Sequence, residues 1–362
     1  MKQLLLLGGG HAHVHVLKTW PDTPLADVRV TLVSPFQRQL YSGMVPGLVA
    51  GHYGVDDCVI PLEPLTHAAR ASFIESSATH LDSAARRVTL ANGQVLPYDV
   101  LSIDTGPVMD RDAIVGAREF GLFVRPIEHF TRLWEELLAL AEQRELSIAL
   151  IGGGAAGVEL AMAMKFRLGS RARLSLVTGG GAPLAGYPEP VRAHVRNALR
   201  RLGITVLEEA CAQISEQHVH LAQGARLQCD APILAIGSSA PQWLAGSGLA
   251  LDEQGFIATG MTLQSSSHPE VFAAGDVASN QALKHPRSGV FAVRAGAPLA
   301  LNLRRALGGG VLVQHAPKLS SLNLLACGGR TAVASWGDWS AQGSWVWFWK
   351  NFIDRRFIAK YR

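Results

Sequence analysis

Twice in this chain a short apolar run ends in three consecutive glycines and opens into a stretch of helical pattern. The first case is residues 3–7, then Gly8-Gly9-Gly10, then residues 11–20 stopped by Pro21. The second is residues 146–151, then Gly152-Gly153-Gly154-Ala155-Ala156-Gly157, then residues 158–168. A further apolar run follows each, at 28–33 and 174–178, and reads as a second strand. Strand, glycine turn, helix and strand make a βαβ unit, and mostly apolar strands suit a parallel sheet covered on both faces. Two such openings predict an α/β protein with two Rossmann-like units.

Glycines at that turn let backbone N–H groups approach a dinucleotide pyrophosphate, and the helix N-terminus adds partial positive charge. Gly152, Gly154 and Gly157 complete G-x-G-x-x-G in the strand-turn-helix context that gives the motif meaning. The first turn has Gly8 and Gly10, but His13 stands where a third glycine permits close helix packing. Its ring is therefore expected to point away from the sheet or to tilt the helix. Where a carboxylate usually meets the ribose, the two units read Ser34-Pro35 and Thr178-Gly179-Gly180-Gly181. Ser34 can still offer a hydroxyl to an adenosine ribose. In the second unit, without an acid or an adjacent arginine, NADH and NADPH both stay open.

Each unit ends alike. Residues 88–96, with Asn92-Gly93, read as a hairpin before a returning strand at 98–104; a helix at 190–202, a strand at 204–207 and a hairpin at 214–227 precede a return at 231–237, ending in Gly237. Val271-Phe272-Ala273-Ala274-Gly275-Asp276 is then a buried strand ending in Gly-Asp, followed by a helix at about 288–307. Coming after the second unit has closed, this piece completes the first sheet. The expected division is 1–110 with 245–315 as one domain, 111–244 inserted as another, and 316–362 as a C-terminal segment.

Composition removes other classes. With 48% hydrophobic and 17% charged residues among 362, the chain can bury a large core. A formal charge of +4 is mild, and no motif reads nucleic acid. Cys58, Cys211, Cys229 and Cys327 lie far apart without a CxxC pair, which fits a reducing cytoplasmic compartment and gives no zinc spacing. His11, His13 and His15 lack a completing carboxylate or cysteine nearby, so no metal is expected. The apolar start stops too soon for a signal peptide, and no stretch reaches the roughly 20 apolar residues of a membrane span.

The start Gly8 to Val14 and the loop Tyr41-Ser42-Gly43-Met44-Val45-Pro46-Gly47-Leu48-Val49-Ala50-Gly51-His52-Tyr53 resemble the flavoprotein family containing type II NADH dehydrogenases and sulfide:quinone reductases. They are most similar to NADH-dehydrogenase-like proteins found alone or fused ahead of selenide, water dikinase. The resemblance spans essentially the whole chain. It implies FAD on the first unit, held at Gly8, Gly10, His11, Ser34, Pro35, Thr105 and Gly106, with Gly275-Asp276 on the ribityl hydroxyls. A helix beginning near Gly289-Val290 would point its N-terminus at the flavin pyrimidine ring, where such an end favours negative charge. NAD(P)H as substrate would lie on Gly152, Gly154, Gly157 and Gly237, with Glu159 facing the nicotinamide. The implied reaction is hydride transfer from NAD(P)H to FAD and onward to an acceptor, expected to be a quinone. The isolated cysteines argue against sulfide. A flavin reductase linked to selenium or sulfur metabolism, or a flavin-bound sensor with little turnover, are the competing readings.

The end of the chain is rich in tryptophan and phenylalanine beside basic residues. On a helix, Trp345, Trp349, Phe352, Ile353 and Phe357 form one apolar stripe, with Lys350, Asp354 and Arg355 away from it. Such a stripe suits an anionic membrane surface on the cytoplasmic face, the protein's own FAD domain, or the mate in a homodimer.

Overall fold

Strand Lys2–Leu7 pairs in parallel with Val28–Ser34 on one side and Val100–Ile103 on the other. Ser72–Glu75 extends the sheet beyond Val28–Ser34, and Val271–Ala273 extends it beyond Val100–Ile103. Leu4 to Leu7 are at most 2% exposed, and burying each such side chain contributes about 1.5–3 kcal/mol. Their run without alternation is what a strand covered on both faces requires.

In this computed structural model, which describes residues 1–316 and 320–362, the chain leaves the first sheet after Val100–Ile103 and builds a second before returning. The second sheet runs Leu122–Phe123, Ala231–Leu234, Leu146–Ile151, Ala172–Val177, Thr205–Leu207, all parallel. Val271–Ala273 then closes the edge of the first, so one Rossmann-like unit is inserted in the other. Helices His11–Thr19 and Gly289–Gly308 pack together, closely enough that a Cβ on Gly296 would stand 2.7 Å from His15 Cβ. Helix Ala155–Leu168 belongs to the second unit and buries an unbroken run from Leu160 to Met164.

Each unit carries a three-stranded antiparallel sheet where the sequence suggests a hairpin. These are Ala78–Asp82, Arg87–Leu90, Val95–Pro97 and Cys211–Ser215, His218–Leu221, Arg226–Gln228. The extra strand in each buries a single residue, Leu81 or Ile214, and so leaves no apolar run to read.

Asn323–Ala326, Ala332–Trp336 and Trp339–Gly343 form a last antiparallel sheet ahead of helix Ser344–Tyr361. Here the structure corrects the sequence-based orientation. Trp345, Phe348, Phe352 and Ile353 face outward at 38–60% exposure, while Val346, Trp347, Asp354, Ile358 and Tyr361 are buried. Lys350 and Asp354 lie on the inner side as an ion pair of 2.8 Å, and Lys350 Nζ also donates to the Gly43 carbonyl at 2.6 Å. Their charges are tolerated there because each meets a partner, a condition that hydrophobic periodicity cannot express.

Candidate functional site

The first glycine turn is shaped by what lies under it. Gly8 has φ +92°, and a Cβ there would stand 2.4 Å from the Asp104 carbonyl oxygen. His13 neither points away from the sheet nor leaves its helix. Its ring is fully buried, Nδ1–H donates to the Gly8 carbonyl at 2.7 Å, and Nε2 accepts from Ser102 Oγ on strand Val100–Ile103 at 2.8 Å. Those two bonds fix the tautomer, and burial pulls the ring's pKa down to about 4, so it stays neutral. Beside it, the Asp104 carboxylate accepts the N–H groups of Ala12 at 2.8 Å and His13 at 3.1 Å.

A cavity of about 1190 Å³ runs along this turn, lined among others by Gly8, Gly10, His11, Ser34, Pro35, Thr105, Gly106, Asp276 and Gly289. Those are residues the sequence brings forward; Gly275 and Val290 are not part of the lining. The lining also takes in Ser76 to His80, Trp243 and Gly289, the first residue of helix Gly289–Gly308. Such a volume exceeds an ordinary small-ligand pocket and suits an extended dinucleotide. His11 Nε2 is shut off from solvent without a partner, with Tyr41 and Phe357 against its ring. Ser34 lines the cavity, but its hydroxyl donates to the Phe36 carbonyl at 2.9 Å and closes a local turn.

Arg125 is a residue that motif reading passes over. It follows Leu122–Phe123 of the second sheet, yet it lines the cavity of the first. Its charge bears on both His11 and Asp276. Burial pushes the Asp276 carboxyl up, and Arg125, Arg287 and His285 act against that rise. No spacing rule links a residue of one domain to the ligand of another, so no sequence signal points to it.

The second turn is built by the same rules with less beneath it. Gly152 has φ +135° and a Cβ there would meet the Ala235 carbonyl at 2.3 Å; one on Gly157 would meet the Gly152 carbonyl at 2.0 Å. Above Gly154 the space is open, and Gly237 lies just beyond strand Ala231–Leu234. Glu159, one turn into the helix, accepts the Ala326 N–H at 2.7 Å. Burial raises its carboxyl to about 7, while Lys350 pulls it down. Lys350 thus bears on Glu159 of the second unit and is bonded to Gly43 in the loop of the first.

Among the described residues no group of three or more His, Cys, Asp and Glu could hold a metal ion. All four cysteines are free, and burial pushes the thiols of Cys58 and Cys327 up to about 12. They are therefore protonated at neutral pH and poor nucleophiles.

Against known proteins, the profile described as Pyridine nucleotide-disulphide oxidoreductase matches residues 2–296. The chain belongs to the pyridine nucleotide-disulphide oxidoreductase family. Like other members it is an FAD-dependent oxidoreductase with a nicotinamide nucleotide as electron partner. Within the family it is 26% identical to the demethylphylloquinone reductase of Synechocystis over 77% of this chain and 72% of that one. It is 21% identical to a type II NADH:quinone oxidoreductase of Staphylococcus aureus, covering 99% and 96%. Among solved structures, the sulfide:quinone oxidoreductase of Aquifex aeolicus superposes with a TM-score of 0.82 at 20% identity, over 100% of this chain and 92% of that one. NDH2 of Plasmodium falciparum gives 0.81 at 15%, over 98% and 97%. The family name mentions a disulphide, but the thiols of this pyridine nucleotide-disulphide oxidoreductase form none.

Proposed function

We propose that this enzyme oxidises NAD(P)H and delivers the electrons, through FAD in the long cavity, to a quinone. The observation that carries the reading is Lys350, which is bonded to the FAD-side loop at Gly43 and whose charge acts on Glu159 in the helix after the nicotinamide-type turn. Reductases of quinones among its relatives supply the acceptor class.

Bound FAD supplies hydride acceptance and electron release, and the chain supplies position and charge. Backbone N–H groups at Gly9 to His11, with Thr105 and Gly106, would hold the cofactor, and Asp276 would meet its sugar chain. The helix that starts at Gly289-Val290 has no side-chain cap, and its N-terminal end would stabilise negative charge by about 0.3–1 kcal/mol. Arg125 and Arg287 add positive charge on the same stretch. On the other side Gly152, Gly154, Gly157 and Gly237 present an open cradle for NAD(P)H. Glu159, held near neutrality, can keep or release a proton beside the reacting rings.

Steady-state assay of the FAD-loaded protein should show NADH or NADPH consumption dependent on a soluble quinone. Turnover with selenium or sulfur compounds and none with quinones would replace this reading by the reductase of that chemistry.

The outward face of helix Ser344–Tyr361, with Trp336 and Trp339 nearby, fits a lipid surface from which a quinone would come. Trp345, Phe348 and Phe352 are each more than half exposed, and Arg356 and Lys360 are exposed on the same helix. Among the described residues no helix is long and apolar enough to cross a membrane. Removing the helix would also remove its bonds to the loop at Gly43, so the informative variant is Phe348→Ser/Phe352→Ser. It should lose binding to anionic phospholipid vesicles and keep its flavin. Unchanged vesicle binding would sink the lipid assignment, and loss of a dimer in solution would give the face to a second copy of the chain.

A further inference from the structure

We propose that Asp104 serves the FAD as a neutral acid, so that the cofactor seats on the first glycine turn only with a proton on this carboxyl, drawn from solvent where the free protein has lost it. The inference rests on the FAD reading of the cavity and adds a binding residue to it.

The two turns differ at their second glycine. A Cβ on Gly154 would meet nothing within 4 Å, which is the room a phosphate needs. A Cβ on Gly10 would stand 2.3 Å from Asp104 Cγ and 2.4 Å from each carboxylate oxygen. The same carboxylate takes the N–H groups of Ala12 and His13, which are among the free donors of a helix N-terminus. A carboxyl group thus stands between the phosphate helix and the place of its ligand.

It has nowhere else to go. The Asp104 N–H is bonded to the Leu7 carbonyl at 2.8 Å, the residue is 3% exposed, and a Cβ on Gly275 would lie 2.6 Å from Oδ1. The groups facing it offer no compensating charge. From helix His11–Thr19 come His11 and His13, both held neutral by burial. From the turn at Gly275 comes Asp276, of the same sign. Arg125, Arg287 and His285 bear on Asp276. Burial and Asp276 together raise the Asp104 carboxyl to about 8 against the two amide bonds. A diphosphate beside it adds further negative charge and moves the group further toward the protonated form. The balance is one solvent proton onto one carboxylate, with no covalent change in FAD.

Equilibrium release of FAD from the full-length holoenzyme, followed by flavin fluorescence on serial dilution, reads this directly. Between about pH 7 and about pH 9 the apparent Kd should weaken about tenfold, because a carboxyl titrating near 8 in the free protein is mostly protonated at the lower pH and must regain its proton at the higher. Asp104→Asn, which keeps an acceptor for the two amides and carries its own donor, should bind FAD with no such slope. A wild type whose FAD affinity is flat across that range overturns the proposal without any variant, as does a slope that persists in Asp104→Asn. Failure of the wild type to bind FAD at any pH would overturn instead the cofactor assignment on which the proposal stands.

Discussion

Gly157 and His13 occupy equivalent places in the two turns, and both hold a helix against the carbonyl of the turn's first glycine. Gly157 does so by lacking a side chain, and His13 does so by donating a hydrogen bond from a ring that replaces the missing contact. A histidine with a folded pKa of about 4 against 6.5 unfolded favours the neutral form. Its contribution is present above pH 6.5 and is lost as pH falls toward 4, a window worth roughly 3 kcal/mol. The stability advantage of wild type over His13→Gln in urea titrations should shrink across that window, and an advantage independent of pH would contradict it. Gly10→Ala should purify with little FAD, because its Cβ meets Asp104, whereas Gly154→Ala should keep its flavin and respond weakly to NAD(P)H. Equal flavin content in the two would remove the distinction drawn between the turns.

At the scale of elements, what could be read early is what is local. Lys2–Leu7 and Leu146–Ile151 announce themselves by uninterrupted apolar residues ending in glycine, and the helices after them by where the glycines stop. Strands Ala78–Asp82 and Cys211–Ser215 escape because one buried residue apiece leaves no pattern. Helix Ser344–Tyr361 was legible as a helix but not in its orientation, because the buried face contains Lys350 and Asp354. Breaking that pair has a testable signature. Lys350→Met should cost about 3 kcal/mol or more by stranding a buried carboxylate, and Lys350→Met/Asp354→Leu should recover part of the loss. Additive costs in thermal unfolding would show that the two charges do not support each other.

For the whole molecule, two parallel sheets built from successive βαβ units hold two cradles, and the C-terminal helix ties the loop of one to the helix of the other. Most of the expected cofactor residues come together because they belong to the ends of strands in one sheet, which a motif describes well. Arg125 and Lys350 are not visible as site residues, since each acts across a domain boundary and has no fixed spacing from the glycines; Asp104 is legible only as part of the Asp104-Thr105-Gly106 element on the FAD side, not as a carboxyl beneath the turn. Turnover requires that the two cradles bring their nucleotides into electron-transfer contact. Anaerobic mixing of the FAD-loaded protein with NADH or NADPH in a stopped-flow instrument tests it most directly. Bleaching of the oxidised-flavin absorbance by one of the two nucleotides, and its return when a quinone is added, is the predicted result; a flavin that stays oxidised with both would contradict the account.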